Sequence, residues 1–155
     1  MNSVAEPDPR ADVTRTGRIE REIRVEARPE TVFAFFIDPG KYVRWKGKLA
    51  ELDPRPGGIY RVDVDGEHVA RGEFVEIVPY RRVVFTWGWE DASNPVQPGT
   101  STVEIELVPD GDATIVRLVH HGLPEEAVAG HAEGWDFFLP RLMEAAGDRS
   151  PASPD

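Results

Sequence analysis

Short strand-like segments separated by turn signals fill most of the chain after residue 48, and this succession constrains the fold more than any other feature. Apolar and polar residues alternate over residues 59–64, and Asp65-Gly66 is typical of a two-residue hairpin turn that returns the chain over residues 68–78. Turn residues recur twice further along the chain. These signals predict six consecutive antiparallel strands, with a long loop at residues 88–99 between two of them.

The segment before these strands predicts one more strand and two short helices. Residues 19–27 alternate between apolar and charged side chains, as a half-buried strand does, although Arg21 breaks the pattern. Pro29 then opens an apolar run, and proline suits the first turn of a helix. Because residues 38–40 must interrupt that helix, we expect a second short helical turn to carry Trp45.

The last predicted element is one long helix over residues 125–146. At about 100° per residue, its apolar side chains fall on one face, which is the pattern of a helix packed against a core. That stripe contains Val128, His131, Ala132, Trp135, Phe138, Leu139, Leu142 and Met143. Pro140 lacks the N–H that would bond the Asp136 carbonyl, so we expect a kink there. Phe137 lies opposite the stripe.

The order of these elements indicates an α+β domain, β-α-α-β6-α, in which a seven-stranded curved antiparallel sheet surrounds the long C-terminal helix. One helix cannot fill the concave face of such a sheet, so we expect an apolar cavity beside it. The polar, proline-containing residues 1–16 and 148–155 are predicted to be disordered tails, which leaves residues 17–147 as the single domain.

Composition excludes several classes of function. The chain has no cysteine, which removes disulfides and thiol chemistry, and its first residues resemble no secretory signal, so we expect a cytoplasmic protein. No apolar run approaches the length of a membrane span. The net charge of −10 argues against a nucleic-acid partner. No glycine loop suited to phosphate leads into a helix, and we expect no cofactor.

Motifs ordered along residues 19–146 resemble a known superfamily. They are Pro29-x-x-Val32-Phe33, Asp38-Pro39 and Trp45; Asp53-x-Arg55-x-Gly57-Gly58-x-Tyr60-Arg61; Gly72-Glu73-Phe74-Val75-Glu76-Ile77-x-Pro79; Arg82-Val83-Val84-Phe85-Thr86-Trp87; Ser101-Thr102-Val103 and Thr114; His120-x-Gly122-Leu123; and Gly134-Trp135 with Leu139 and Leu142. The chain resembles the SRPBCC (START-like) superfamily, within it the branch named for activators of the heat-shock-protein-90 ATPase. The resemblance implies a helix-grip fold and constrains function only loosely, because the superfamily holds carriers, receptors, enzymes and chaperone activators.

Large aromatic residues and two histidines are the candidates for a ligand-binding cavity. The predicted cavity residues are Trp45, Tyr60, Trp87, Leu118, His120, His131, Trp135 and Phe138, with Trp89 near the long loop. Flat apolar rings suit a ligand that carries rings or acyl chains. The alternative for the aromatic residues is ordinary core packing.

His120 and His131 are the leading candidates for catalysis. Strand parity places His120 inward with Leu118, and His131 lies in the helical stripe, so two imidazoles could serve in acid–base work. The alternative is that each is a core histidine satisfied by hydrogen bonds. His120 and His121 point to opposite faces of a strand and cannot chelate one ion, so we expect no metal site. Glu76 could act as a general base if it lay in the cavity, but it is predicted to face solvent.

Three hypotheses of function follow. The first is non-catalytic binding of a hydrophobic small molecule, such as a lipid, polyketide or aromatic metabolite. The second is an enzyme of the cyclase or hydrolase kind that uses His120 and His131 in the same cavity. The third is a protein-interaction role that resembles the chaperone ATPase activators, or a small-molecule self-resistance factor, for which an apolar patch around Phe137 would argue.

Overall fold

A computed structural model describes residues 17–147, so the two predicted disordered tails lie outside the described residues. The elements are β1 (Arg18–Val25), α1 (Pro29–Ile37), α2 (Pro39–Tyr42), β2 (Leu49–Leu52), β3 (Ile59–Asp63), β4 (Val69–Val78), β5 (Arg82–Trp87), β6 (Ser101–Asp110), β7 (Ala113–His121) and α3 (Glu125–Gly147). This order confirms the predicted β-α-α-β6-α arrangement and the α+β class. Trp45 follows α2 in an irregular turn rather than within the helix.

All seven strands form one curved antiparallel sheet in the order β1-β7-β6-β5-β4-β3-β2. The first strand therefore pairs with the last, which places β7 between β1 and β6. His120 on β7 faces Ile19 on one side and Val103 on the other. A bulge between Phe74 and Glu76 on β4 locally breaks the register with β5. The topology places His120 near the end of the strand next to the β1 edge, with β1 on one side and β6 on the other.

The connection between β3 and β4 is longer than the predicted two-residue turn, and that prediction is wrong. β3 ends at Asp63 and β4 begins at Val69. Asp65 organises the longer loop, because its Oδ1 accepts the backbone N–H groups of Glu67 at 2.9 Å and His68 at 2.8 Å. Gly66 supplies the left-handed conformation, with φ of +94°.

Helix α3 packs on the concave side of the sheet along one stripe. Trp135, Leu139, Leu142 and Ala146 are buried, and the other predicted stripe residues are partly buried except Met143. The prediction for Met143 is wrong: its side chain is 40% exposed, because Leu142 and Ala146 occupy the core-facing positions of the last turns.

An ion pair ties β1 to this helix and explains the polar break in the β1 pattern. The Arg21 guanidinium donates to the two carboxylate oxygens of Asp136, at 2.7 and 3.2 Å. Helix α3 continues through Pro140 as one element, and the kink at that residue stays a prediction. Within the described residues, no helix combines the length and the apolar character that crossing a membrane requires.

Candidate functional site

A cavity of about 410 Å³ opens between α3, the end of β5, the β3–β4 connection and the loop that follows β5. Its volume lies within the range of pockets that hold small molecules, roughly 300–1,000 Å³. The central part of its wall is formed by Lys46, Trp87, Trp89, His131, Trp135 and Phe138. The helix thus leaves part of the concave face open, as the sequence predicts.

Four of the predicted ligand-binding residues line this cavity and four lie behind it. The lining residues are Trp87, His131, Trp135 and Phe138. The other four, Trp45, Tyr60, Leu118 and His120, are fully buried in the core and form no part of the wall. Trp45 donates its indole N–H to the Phe35 carbonyl at 2.9 Å, and Tyr60 stacks on Phe85 with ring centroids 4.1 Å apart. Strand parity correctly predicted which side chains point to the concave side of the sheet. Most of that side is filled by core packing, so only part of it borders the cavity.

Three indole rings give the cavity a nearly continuous aromatic surface. Trp87 is central: its ring centroid lies 5.2 Å from that of Trp89 and 6.1 Å from that of Trp135. The Trp87 indole N–H is buried and has no hydrogen-bond partner among the described residues. Trp89, which the sequence placed only near the loop, is therefore part of the wall.

His120 is held in one tautomer by its neighbours. Trp135 donates its indole N–H to His120 Nδ1 at 3.1 Å, so Nδ1 carries no proton in the neutral ring. The proton then sits on Nε2, which lies 2.9 Å from Ser101 Oγ, and Ser101 in turn donates to the Trp87 carbonyl at 2.8 Å. Burial lowers the pKa of His120 to about 2, so the ring is neutral at physiological pH.

His131 is held in the opposite tautomer. Trp89 donates its indole N–H to His131 Nε2 at 3.1 Å, and the protonated Nδ1 donates to the Ala127 carbonyl at 2.8 Å. Burial is the main reason that the pKa of His131 is lowered; the hydrogen bond to Ala127 opposes this shift and the charge of Lys46 adds to it. The two imidazole centroids are 5.4 Å apart, yet all four ring nitrogens are already engaged.

Lys46 is the buried charged residue in the described part of this site, and the sequence analysis missed it. Its side chain is buried, and Nζ lies 4.4 Å from the ring centroid of Trp87, 4.8 Å from that of Phe138 and 5.3 Å from that of Trp135. No side chain in the described part of the chain gives Nζ a hydrogen bond or an ion pair. Burial lowers the pKa of Lys46 to about 7. Lysines are almost always exposed, so nothing in its sequence context indicated this position.

Local backbone structure directs Lys46 inward. Its N–H bonds the Tyr42 carbonyl at 2.9 Å, which extends the turn that follows α2. Gly47 then adopts φ of +98° and turns the chain into β2. A Cβ at this glycine would lie 2.6 Å from Val62, so the close approach also requires glycine.

Two glycines widen the cavity on its helical side. Gly130 and Gly134, one turn apart on α3, both lie in the wall. A Cβ built at either position would meet nothing within 4 Å among the described residues. Larger side chains there would project into open space, so the glycines leave room for a ligand.

The loop at residues 88–99 forms one side of the cavity mouth. Trp89 N–H bonds the Val96 carbonyl at 2.7 Å, and Asn94 Oδ1 accepts the Val96 N–H at 2.9 Å. Val96 is fully buried beneath the loop, while Asn94 and Pro95 face the cavity. The loop is therefore folded back on the site and fixed there by its own hydrogen bonds.

The remaining polar candidates lie outside the cavity wall. Glu76 is exposed, as predicted, and accepts from Arg82 at 2.9 Å. His121 Nε2 lies 2.7 Å from a Glu104 carboxylate oxygen, on the opposite face of the sheet from His120. Within residues 17–147, no three histidine, aspartate or glutamate side chains are grouped to hold a metal ion.

A curved antiparallel sheet that grips a long C-terminal helix beside an apolar cavity defines the helix-grip fold of the SRPBCC superfamily. Residues 26–147 match the family model described as Activator of Hsp90 ATPase homolog 1-like protein, and the chain belongs to that family. No curated protein matches the chain.

Solved structures of similar chains agree with this assignment. An AHSA1-like protein from Rhizobium etli is 42% identical, with a TM-score of 0.67, and the match covers 89% of both chains. CalU16 from Micromonospora echinospora is 26% identical, with a TM-score of 0.69, over 84% of this chain and 66% of that one. An HSP90 activator from Plasmodium falciparum is 23% identical, with a TM-score of 0.68, over 84% of this chain and 96% of that one; this likeness concerns the fold alone.

Proposed function

We propose that this protein binds a hydrophobic small molecule, such as a lipid, polyketide or other aromatic metabolite, in the cavity beside α3, and that it does not change the molecule chemically. The observation that carries the proposal is the aromatic wall formed by Trp87, Trp89, Trp135 and Phe138 around about 410 Å³ of open space. Apolar contact of this kind contributes roughly 25 cal/mol per Å² of buried area before ordering costs.

The hydrogen bonds of the histidines favour binding over catalysis. An enzyme that used His120 or His131 as a general base would need a ring nitrogen within reach of the ligand. His120 lies behind Trp135, and each nitrogen of both rings already has a partner. Proton transfer by either ring would first require the loss of a hydrogen bond that the ring already makes.

The surface of α3 gives less support to a protein-interaction role. Phe137 is 60% exposed, but Glu133 and Arg141 are among its neighbours one turn away on the helix, and the Arg141 guanidinium lies 5.6 Å from the Phe137 ring centroid. A single exposed aromatic residue among charges is common on protein surfaces and does not form an apolar patch.

Filling the cavity tests the proposal. Binding of the neutral fluorescent probe N-phenyl-1-naphthylamine would be measured for the wild type, Gly134→Leu and Ala129→Leu. Gly134 lies in the cavity wall, whereas Ala129 is exposed on the same helix and serves as the matched control. We expect one probe per wild-type and Ala129→Leu molecule, and at least tenfold weaker binding by Gly134→Leu. Equal binding by all three proteins, or none by the wild type, would contradict the proposal.

A further inference from the structure

Within residues 17–147, the Lys46 amine has no hydrogen-bond or ion-pair partner. A buried ammonium group is costly unless a counter-charge or hydrogen bonds compensate it. Three aromatic rings lie within 5.3 Å of Nζ and offer partial compensation through their π faces. No acceptor of the described residues forms a hydrogen bond with Nζ, and the side chain borders the cavity that Lys46 lines.

The other titratable groups of the site cannot fill this role. Asp65 lines the cavity, but its carboxylate already accepts from His68 Nδ1 at 2.7 Å and from two backbone N–H groups. Glu126 lies at the exposed start of α3 and forms no ion pair with Lys46. His120 and His131 face Lys46 as neutral rings with engaged nitrogens.

We propose that the ligand of this cavity is an apolar, ring-bearing molecule with one carboxylate group, and that this carboxylate pairs with Lys46. The inference rests on the proposed function and adds the chemical class of the ligand. The aromatic wall takes the apolar body, and the ammonium group takes the anion in a water-poor site, where a charge-assisted hydrogen bond is strong. Asp65 and Glu126 at the rim repel an anion, but they are exposed and screened by salt, whereas the buried Lys46 is screened much less.

A pair of probes of nearly equal shape isolates the charge. 2-Naphthoate carries the carboxylate and 2-naphthamide replaces it with a neutral carboxamide. Calorimetric titration at pH 7 would give the affinity ratio of the two probes for the wild type, Lys46→Met and Lys48→Met. Lys48 is exposed two residues away, so its substitution makes the same change in net charge outside the cavity.

We expect the wild type and Lys48→Met to prefer naphthoate by about ten- to a hundredfold, the scale of one hydrogen bond to a charged group. Lys46→Met should lose that preference and keep its affinity for naphthamide. If Lys46→Met retains the preference, or if the wild type shows none while it binds N-phenyl-1-naphthylamine, the inference is wrong and the proposed function stands. If none of the three probes binds, the proposed function itself fails.

A second measurement tests the pairing with Lys46 in the wild-type protein, without a substitution. The pKa of Lys46 in the wild type, followed by NMR of its Cε and Nζ, should rise when naphthoate is bound, since a carboxylate partner favours the charged amine. Naphthamide should leave it nearly unchanged. A Lys46 pKa that naphthoate does not raise would contradict the pairing.

Discussion

The Nζ atom of Lys46 lies 4.4 Å from the ring centroid of Trp87, between β5 and α3, in the wall of the cavity. This cation–π contact joins the one buried ammonium group of the described residues to the central aromatic ring of the site. Lys46 therefore affects two measurable properties, the free energy of unfolding of the protein and the affinity of the cavity for its ligand.

Replacement of Lys46 by methionine should stabilise the protein, most strongly at low pH. Burial lowers the pKa of Lys46 from 10.5 to about 7, so the unfolded chain binds more protons than the folded one between these values. The penalty from this group is therefore full below about pH 7 and disappears as the pH rises toward 10.5.

Urea unfolding of the wild type and Lys46→Met between pH 6 and 10 measures the effect. The variant should be more stable at pH 6 by roughly a few kcal/mol, and the difference should shrink by up to about 1.4 kcal/mol per pH unit above pH 7. Lys48→Met, which removes an exposed amine two residues away, serves as the control. A difference between Lys46→Met and wild type that does not vary with pH would refute the assignment of a lowered pKa.

His120 and His131 should show opposite tautomers in long-range nitrogen–proton NMR spectra. We expect the proton on Nε2 of His120 and on Nδ1 of His131, because Trp135 and Trp89 donate to the other nitrogens. Since the pKa of His120 is lowered to about 2, its signals should not titrate between pH 8 and 5. Titration of His120 near pH 6.5 would show that the ring is accessible and return it to the catalytic candidates.

Much of the fold follows from the sequence, because turn residues and alternation are local signals. The strand count and α3 needed little more than periodicity, whereas the ion pair of α3 with Arg21 became visible only in the structure. The β3–β4 turn was misjudged because Asp65 accepts two backbone N–H groups of a longer loop, which the Asp65-Gly66 pair does not reveal.

The cavity wall was harder to predict. Strand parity indicates to which side of the sheet a side chain points, but it does not indicate whether that side chain borders a cavity or is covered by core packing. Trp45 and Tyr60 share the inward side with Trp87, yet core packing closes over them. Lys46 was missed for a related reason: its burial depends on Gly47 turning the chain and on rings from β5 and α3, which are distant in sequence.

Two tryptophan-to-phenylalanine changes should lower the free energy of unfolding by different amounts. Trp135→Phe leaves His120 Nδ1 buried without its donor, and we expect a loss of about 1–3 kcal/mol in the free energy of unfolding. Trp87→Phe removes an indole N–H that has no partner among the described residues, so its cost should be smaller. Chemical denaturation compares them directly, and a Trp87 variant less stable than the Trp135 variant would argue against the His120 network.

Two glycine-to-alanine changes should have opposite effects on the stability of the protein, although both positions have space for a methyl group. Gly134→Ala in α3 should raise stability by about 0.5–1 kcal/mol through helix propensity. Gly57→Ala should lower it, because Gly57 has φ of +85°, which side chains disfavour, while nothing described lies within 4 Å of the new Cβ. Thermal unfolding measures both, and a destabilised Gly134→Ala would mean that the helical wall is already filled.

Four indole N–H signals, one for each tryptophan of the chain, test the binding site most directly. Three of these residues, Trp87, Trp89 and Trp135, line the cavity, whereas Trp45 lies behind it with its N–H bonded to the Phe35 carbonyl. In nitrogen–proton spectra recorded during titration with N-phenyl-1-naphthylamine, the three cavity signals should move in a saturable manner and the Trp45 signal should move least. A saturable shift of Trp45 alone, or no shift of the other three at saturating probe, would contradict the account.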